Sequence, residues 1–269
     1  MVLMVNGELV KEASISVLHE SFLFGKGLFT TIKIQDGSIW YWKEHIKLLK
    51  ASCVSLGVEF PKISIAQAKE LIDQCRAFKG LWRLKLIVLP ADNGDEEELR
   101  SIMILKKEKA LSVKDQTLFL SPSSFTSALS SYKSLAYYDR ILLKKLAAEN
   151  LCDEILNRDG AGNILEGAFS NIFWIKGKIC YSPSSELALY FGCTIRSCLK
   201  AAKQSGMLIK KGKFLLENLL NSDAVFTCNS MKGVLSVKGL KEGETLHKMK
   251  VNSPLKKSFN DYLKRYHQG

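Results

Sequence analysis

No stretch of the 269-residue chain comes near the eighteen or so uninterrupted apolar residues of a membrane span, so no membrane segment is expected. The opening residues, MVLMVNGELVKE, lack a basic segment followed by an apolar one and a small-residue cleavage site, so no secretory leader is expected. There is no CxxC and no Cys/His group at zinc spacing. The seven cysteines are odd in number and scattered, which predicts reduced thiols, a cytoplasmic home and no metal site. No internal repeat is present. Acidic residues are the minority, 27 against 39 lysines and arginines, and the formal net charge is +12. Such a surface attracts anions. The lysines are nevertheless dispersed in short groups, KKEK at 106–109 and KKGK at 210–213, with no nucleic-acid module around them. A solvated lysine-rich surface that welcomes a small anionic substrate is expected, and no nucleic-acid partner.

At 46% hydrophobic and 25% charged residues, the composition is that of a globular protein, long enough for one large domain or two moderate ones. Asn6-Gly7 and Asp36-Gly37 each sit between short apolar or β-branched runs, a hairpin signal. A helix follows from Lys43 to Gly57, with Ile46, Leu49, Cys53 and Leu56 on one stripe. A second spans Ser64 to Ala77 with Ser64 as its cap. Strands are expected at 82–89 and 100–107 around the acidic turn ADNGDEEE. SPSSFTSALSS, at 121–131, is serine-rich and uncharged, and reads as a linker. The expected division is an N-terminal α+β domain over 1–121, a linker over 122–130 and a larger domain over 131–269. In the second half we expect a helix at 138–150 and strands at 153–157, 164–166, 170–175 and 178–181. Helices at 194–205 and 214–221 and strands at 223–227 and 233–238 complete the pattern. Tyr138, Ile141, Leu142 and Leu146 would form the buried face of the 138–150 helix.

Lys133 lies just ahead of that helix among Tyr132, Ser134, Leu135, Ala136, Tyr137 and Tyr138. An amine among aromatic and apolar groups is partly desolvated, which favours its neutral, nucleophilic form. A solvated surface lysine is the competing reading. Glu166 follows Ile164 and Leu165 and precedes Gly167 and Ala168. A carboxylate among apolar strands needs a cationic partner, for which a protonated pyridine nitrogen would serve. The alternative is a turn-terminal glutamate facing solvent. In GCTIRSCLKAAKQSG a glycine and Thr194 open a helix, a geometry that offers N–H groups and a hydroxyl to phosphate, or simply an ordinary cap. In FTCNSMKGV, Thr227, Cys228, Asn229 and Ser230 place small polar residues at a strand end.

FGKGLFTTIKIQDGSIWYWKEHIKLL, YKSLAYYDRILLKKLAAENLCDEIL, LEGAFSNIF, GCTIR and TCNSMKGV occur in this order. Together they resemble the fold-type IV pyridoxal-phosphate enzymes, a group that holds branched-chain and D-amino-acid aminotransferases and 4-amino-4-deoxychorismate lyase. FTTIK and TCNSM look most like the lyase. The resemblance implies a two-domain α/β homodimer that binds pyridoxal 5′-phosphate in a cleft between its domains. It makes Lys133 the catalytic Schiff-base lysine, Glu166 the partner of the pyridine nitrogen and Tyr137 a neighbour of the ring hydroxyl. Thr194, Asn229 and Ser230 fall in its phosphate-binding segments. Phe29, Thr31 and Lys33, on one face of their strand by the two-residue period, line its substrate side. The implied reaction on a small anionic amine releases pyruvate and 4-aminobenzoate for folate synthesis. Amino-group transfer and a catalytically weak, binding-only relative are the alternatives.

The chain departs from the group's pattern at four places. Leu48 stands in HIKLL where an arginine usually grips the cofactor phosphate, a difference of about 1.5–3 kcal/mol of charge-assisted bonding. Lys26 replaces an acidic residue between glycines, and Pro90-Ala91 replaces an Arg-Gly pair. GCTIR matches the usual Gly-Ile-Thr-Arg only with a one-residue shift.

Overall fold

A computed structural model describes residues 2–91, 100–109, 111 and 113–267. The turn expected within ADNGDEEE lies outside the described residues. The rest divides into two compact units.

The first unit holds Met1–Leu111, Tyr132–Tyr137 and His267–Gly269. Both expected hairpins form. Strands β1 (Val2–Val5) and β2 (Glu8–Val10) pair antiparallel around Asn6-Gly7, where φ is +49° and +95°. After the short helix α1 (Glu20–Leu23), β3 (Leu28–Gln35) and β4 (Ser38–Ile39) turn on Asp36-Gly37, at +50° and +77°. A type I′ turn needs positive φ at both central residues, which Asn, Asp and Gly supply at little cost. Helix α2 (Trp42–Ser55) buries His45, Leu49 and Cys53. Helix α3 (Ile65–Cys75) starts from a capping box between Ser64 and Gln67. Strands β5 (Leu81–Val88) and β6 (Ser101–Lys107) complete a sheet of order β2-β1-β6-β5-β3-β4. Alternation along β3 sends Ile32 and Ile34 into a core with Leu49, Leu71, Leu84 and Leu105, and leaves Phe29, Thr31 and Lys33 on the opposite face.

The second unit holds Ser112–Ser131 and Tyr138–Tyr266. Its elements are β7 (Gln116–Leu120), α4 (Tyr138–Glu149), β8 (Glu154–Leu156), β9 (Asn171–Lys176), β10 (Ile179–Pro183) and α5 (Cys193–Gln204). They continue with β11 (Leu208–Gly212), α6 (Leu216–Leu220), β12 (Ala224–Asn229), β13 (Gly233–Glu242), β14 (Thr245–Lys248) and α7 (Ser253–Arg265). The sheet runs β11-β10-β9-β12-β13-β7-β8, with β14 alongside β13. Trp174, Phe214, Val225, Val237 and Leu240 sit in its core.

Several expectations are corrected. The domain division at 121–131 differs from the one observed: β7 lies in the second unit because it pairs in parallel with β13 and β8. Tyr132–Tyr137, with Lys133, belongs instead to the first unit, tied there by the Leu28–Ser134 bridge. The 164–166 strand reduces to an isolated bridge between Arg158 and Ile164. On α4, Tyr138, Ile141 and Leu142 are exposed, and the buried residues are Arg140, Leu143 and Ala147. The apolar pattern misleads there because a charged residue that finds a buried counter-ion can occupy an inward position.

Candidate active site

In the first unit, residues 132–137 run beside the start of β3. The Phe29 N–H donates to the Lys133 carbonyl at 2.8 Å, and the Leu135 N–H donates to the Gly27 carbonyl at 2.9 Å. The glycines of FGKG make this approach possible. A Cβ on Gly25 would lie 2.9 Å from the Ala136 nitrogen, and one on Gly27 would lie 2.7 Å from the Leu135 side chain. Lys133 is half-buried, with its Nζ 3.5 Å from the Tyr137 hydroxyl. That Nζ lies 5.5 Å from the centre of the Phe29 ring and 5.6 Å from that of Tyr137, and the two rings meet edge to face at 5.0 Å. The aromatic setting read from the sequence is present.

Phe29, Thr31 and Lys33 share this face with a residue that sequence reasoning passed over. Lys85, opposite Thr31 on β5, holds its Nζ 4.5 Å above the Phe29 ring. Burial pushes its pKa down, aided by the charges of Arg83 and Lys133. Lys33 is also pushed down by burial, against the opposing pull of Asp36, and lies 4.2 Å over Trp40. The alternation of RLKL would have shown Lys85 facing the same way as Thr31. On the core side, Thr30 Oγ1 and His45 Nδ1 lie 2.7 Å apart, fully buried. Burial, followed by the charge of Lys133, depresses the His45 pKa to about 3, so this imidazole is neutral at physiological pH.

In the second unit, Glu166 is 5% exposed, which removes the solvent-facing alternative. Its backbone is held by the Asn157 N–H donating to the Glu166 carbonyl at 2.9 Å, and the Gly167 N–H donates to the Ser170 carbonyl at 2.7 Å. The carboxylate meets Arg140, whose Nη2 donates to Oε1 at 2.7 Å. The Tyr190 N–H donates to Oε1 at 3.0 Å, and Asn171 Nδ2 donates to Oε2 at 3.1 Å. The cationic partner demanded by the sequence is therefore present within the chain. Neither Arg140 nor Asn171 was singled out from the sequence. The spacing 140, 143, 147 carried the signal for Arg140, because it places a charge on the stripe of Leu143 and Ala147.

Asn171 links Glu166 to the start of α5. Its Nδ2 also donates to the Tyr190 carbonyl at 2.6 Å, and its Oδ1 accepts from the Gly192 N–H at 3.4 Å. Gly192 is the N-cap of α5, and no side chain caps that terminus. Thr194 is buried in the first turn. The Cys193 thiol lies 4.0 Å from Thr194 Oγ1 and 3.8 Å from Ser230 Oγ, so the two expected hydroxyls flank one sulfur. Asn229 braces the turn that carries Ser230: its Oδ1 accepts from the Met231 and Lys232 N–H groups at 3.1 and 2.8 Å, and its Nδ2 donates to the Phe169 carbonyl at 3.2 Å. A twelve-residue helix with an uncapped N-terminus suits a phosphate, and a fixed carboxylate suits a basic ring nitrogen. This donor set fits pyridoxal phosphate.

The amino-transferase class IV family profile matches residues 27–240. The chain is 26% identical to the aminodeoxychorismate lyase of Bacillus subtilis (strain 168) over 261 residues, 88% of this chain and 86% of that one. It is 23% identical to the D-alanine aminotransferase of Bacillus licheniformis over 262 residues, 91% and 90% of the two chains. The fold matches the PLP-bound form of a hypothetical aminotransferase from Mycobacterium tuberculosis, at a TM-score of 0.83 and 14% identity over 99% of each chain. The chain therefore belongs to amino-transferase class IV, a pyridoxal-phosphate-dependent enzyme family whose fold-type IV architecture it shares.

Proposed function

We propose that the chain is a 4-amino-4-deoxychorismate lyase, yielding pyruvate and 4-aminobenzoate for folate synthesis. The observation that carries this reading is the face formed by Phe29, Thr31, Lys33 and Lys85 beside Lys133: Lys85 and Lys133 lie over the Phe29 ring and Lys33 lies over Trp40 on the same face, a setting that suits a cyclic dianion. The similarity to the B. subtilis lyase supports it. Bound pyridoxal phosphate supplies an electron sink for the carbon that bears the substrate's amine. Lys133 would attach the cofactor, and its Nζ, freed when the substrate's amine takes its place, would take and return the proton at that carbon. Tyr137 orients the lysine through its hydroxyl. Glu166 holds the ring nitrogen's proton. The α5 N-terminus, Thr194 and Ser230, on the turn braced by Asn229, bind the phosphate in place of the arginine absent at Leu48. Formation of the aromatic product supplies much of the driving force.

Val17, Leu18, Phe22, Leu23 and Phe24 are all more than half exposed within one short stretch of the first unit. An apolar run of this kind supports a homodimer, the state implied by the resemblance. The test is pyruvate release from aminodeoxychorismate by the purified, cofactor-loaded protein, together with its visible absorption. Lys133→Ala is expected to abolish both the band and the activity. Nitrogen exchange between an amino acid and a keto acid, without pyruvate release, would overturn the lyase reading in favour of an aminotransferase. A band that persists in Lys133→Ala would overturn the assignment of the lysine.

A further inference from the structure

We propose that Arg140 is a positioning residue for Glu166, fixing the carboxylate in its charged, ring-facing pose before the cofactor arrives. The inference rests on the reading of Glu166 as the partner of the ring nitrogen. It concerns a residue to which neither the sequence motifs nor that reading gives a role.

The geometry separates this role from simple packing. Arg140 and Glu166 side chains are only 9% and 6% exposed, and their 2.7 Å contact is the shortest of the three Glu166 side-chain contacts described above. The guanidinium is itself held in place: Nη1 donates to the Gly167 carbonyl at 3.2 Å and Nη2 to the Ser130 carbonyl at 3.3 Å. Gly167 directly follows Glu166, so Arg140 holds both the acid's side chain and the carbonyl of the next residue. Without Arg140, the donors named above that remain on the carboxylate, the Tyr190 N–H and Asn171 Nδ2, are both neutral. A buried carboxylate without a cation either protonates or turns away. In either case an incoming ring nitrogen meets an acid that must first be recharged or reoriented. Preorganisation of this kind appears as affinity. The opposite effect, in which Arg140 competes with the cofactor for the same charge, predicts tighter binding once the arginine is removed.

The test is a double-mutant cycle on the dissociation constant of pyridoxal phosphate, read by absorbance titration of the cofactor-free protein. Glu166→Gln is expected to weaken binding about tenfold or more, and Arg140→Gln by a similar factor. The double variant should be no weaker than Glu166→Gln alone, to within about threefold, because the arginine acts through the acid. Arg140→Lys, which keeps the charge but loses the fork, should fall between the parent and Arg140→Gln. Losses that multiply in the double variant would overturn the inference. So would an Arg140→Gln protein that binds as well as the parent or better, or an Arg140→Lys protein as weak as Arg140→Gln. If Arg140→Gln does not fold, the cycle is run with Arg140→Lys and judged by the same criterion. A Glu166→Gln protein with unchanged affinity would overturn the underlying reading of the acid, and this inference with it.

Discussion

Acidification tests the buried Thr30–His45 pair beneath the face that carries Lys133. The imidazole is fully buried, and its pKa falls from 6.5 to about 3, first through loss of solvent and then through the charge of Lys133. Between these values the unfolded chain binds a proton that the folded chain refuses. The contribution of this residue to stability is therefore fully present above about pH 6.5 and declines as the pH falls toward 3. From pH 7 to pH 5 the loss assignable to this one residue is about 1.9 kcal/mol, and any folded value below about 4 gives nearly the same figure. The carboxylates add their own pH dependence, so the comparison is with His45→Asn, whose amide can still bond to Thr30 but does not titrate. Trp174→Phe in both backgrounds leaves Trp40, Trp42 and Trp82, all in the first unit, as the fluorescent probes of urea unfolding. The parent should lose about 1.9 kcal/mol more than His45→Asn between the two pH values. Equal losses would show that His45 is protonated in the folded chain and refute the argument.

Two further outcomes follow from the site's geometry. On the proposed lyase reading, Lys85→Ala should raise KM for aminodeoxychorismate about fivefold, the equivalent of roughly 1 kcal/mol for a partly screened charge contact, with kcat little changed; an unchanged KM would remove Lys85 from the binding face. Gly25→Ala places a methyl group 2.9 Å from the Ala136 nitrogen at a φ of +66°. It should lower the Tm by about 4 °C or more through strain and displacement of the lysine segment, so a Tm within about 1 °C of the parent would show that the backbones are less tightly apposed.

Local chemistry makes the first unit legible. Asn6-Gly7 and Asp36-Gly37 fix hairpins by their own backbone preferences, and Ser64 with Gln67 starts α3 by reciprocal capping. The face of Phe29, Thr31 and Lys33 follows from a period of two. The expected boundary misplaces β7 because its partner β13 lies more than a hundred residues further along the chain, and no local signal reports a parallel pairing of that range. α1, β7, β11, β14 and α7 are absent from the expectations altogether. On α4, counting apolar residues gives the wrong face, since Arg140 turns inward for an acid twenty-six positions away. Among the candidate residues of the two units, Lys133 and Glu166 each stand out by residue type and neighbours. Lys85 over Phe29, and Arg140 and Asn171 on Glu166, are ordinary residues in sequence, and only their contacts distinguish them.

The first unit is assembled from three separated stretches of chain, and the last delivers His267. That residue stacks on Trp40 at 4.8 Å, accepts the Tyr41 N–H at its carbonyl oxygen at 2.7 Å, and meets the Ser38 hydroxyl through its ring at 2.8 Å. During synthesis the N-terminal sheet can form early from its own hairpins, yet it receives the lysine segment only after residue 137 and its last contacts only after residue 267. A ribosome-stalled fragment that stops short of His267 would therefore carry a first unit still open at Trp40 and Tyr41.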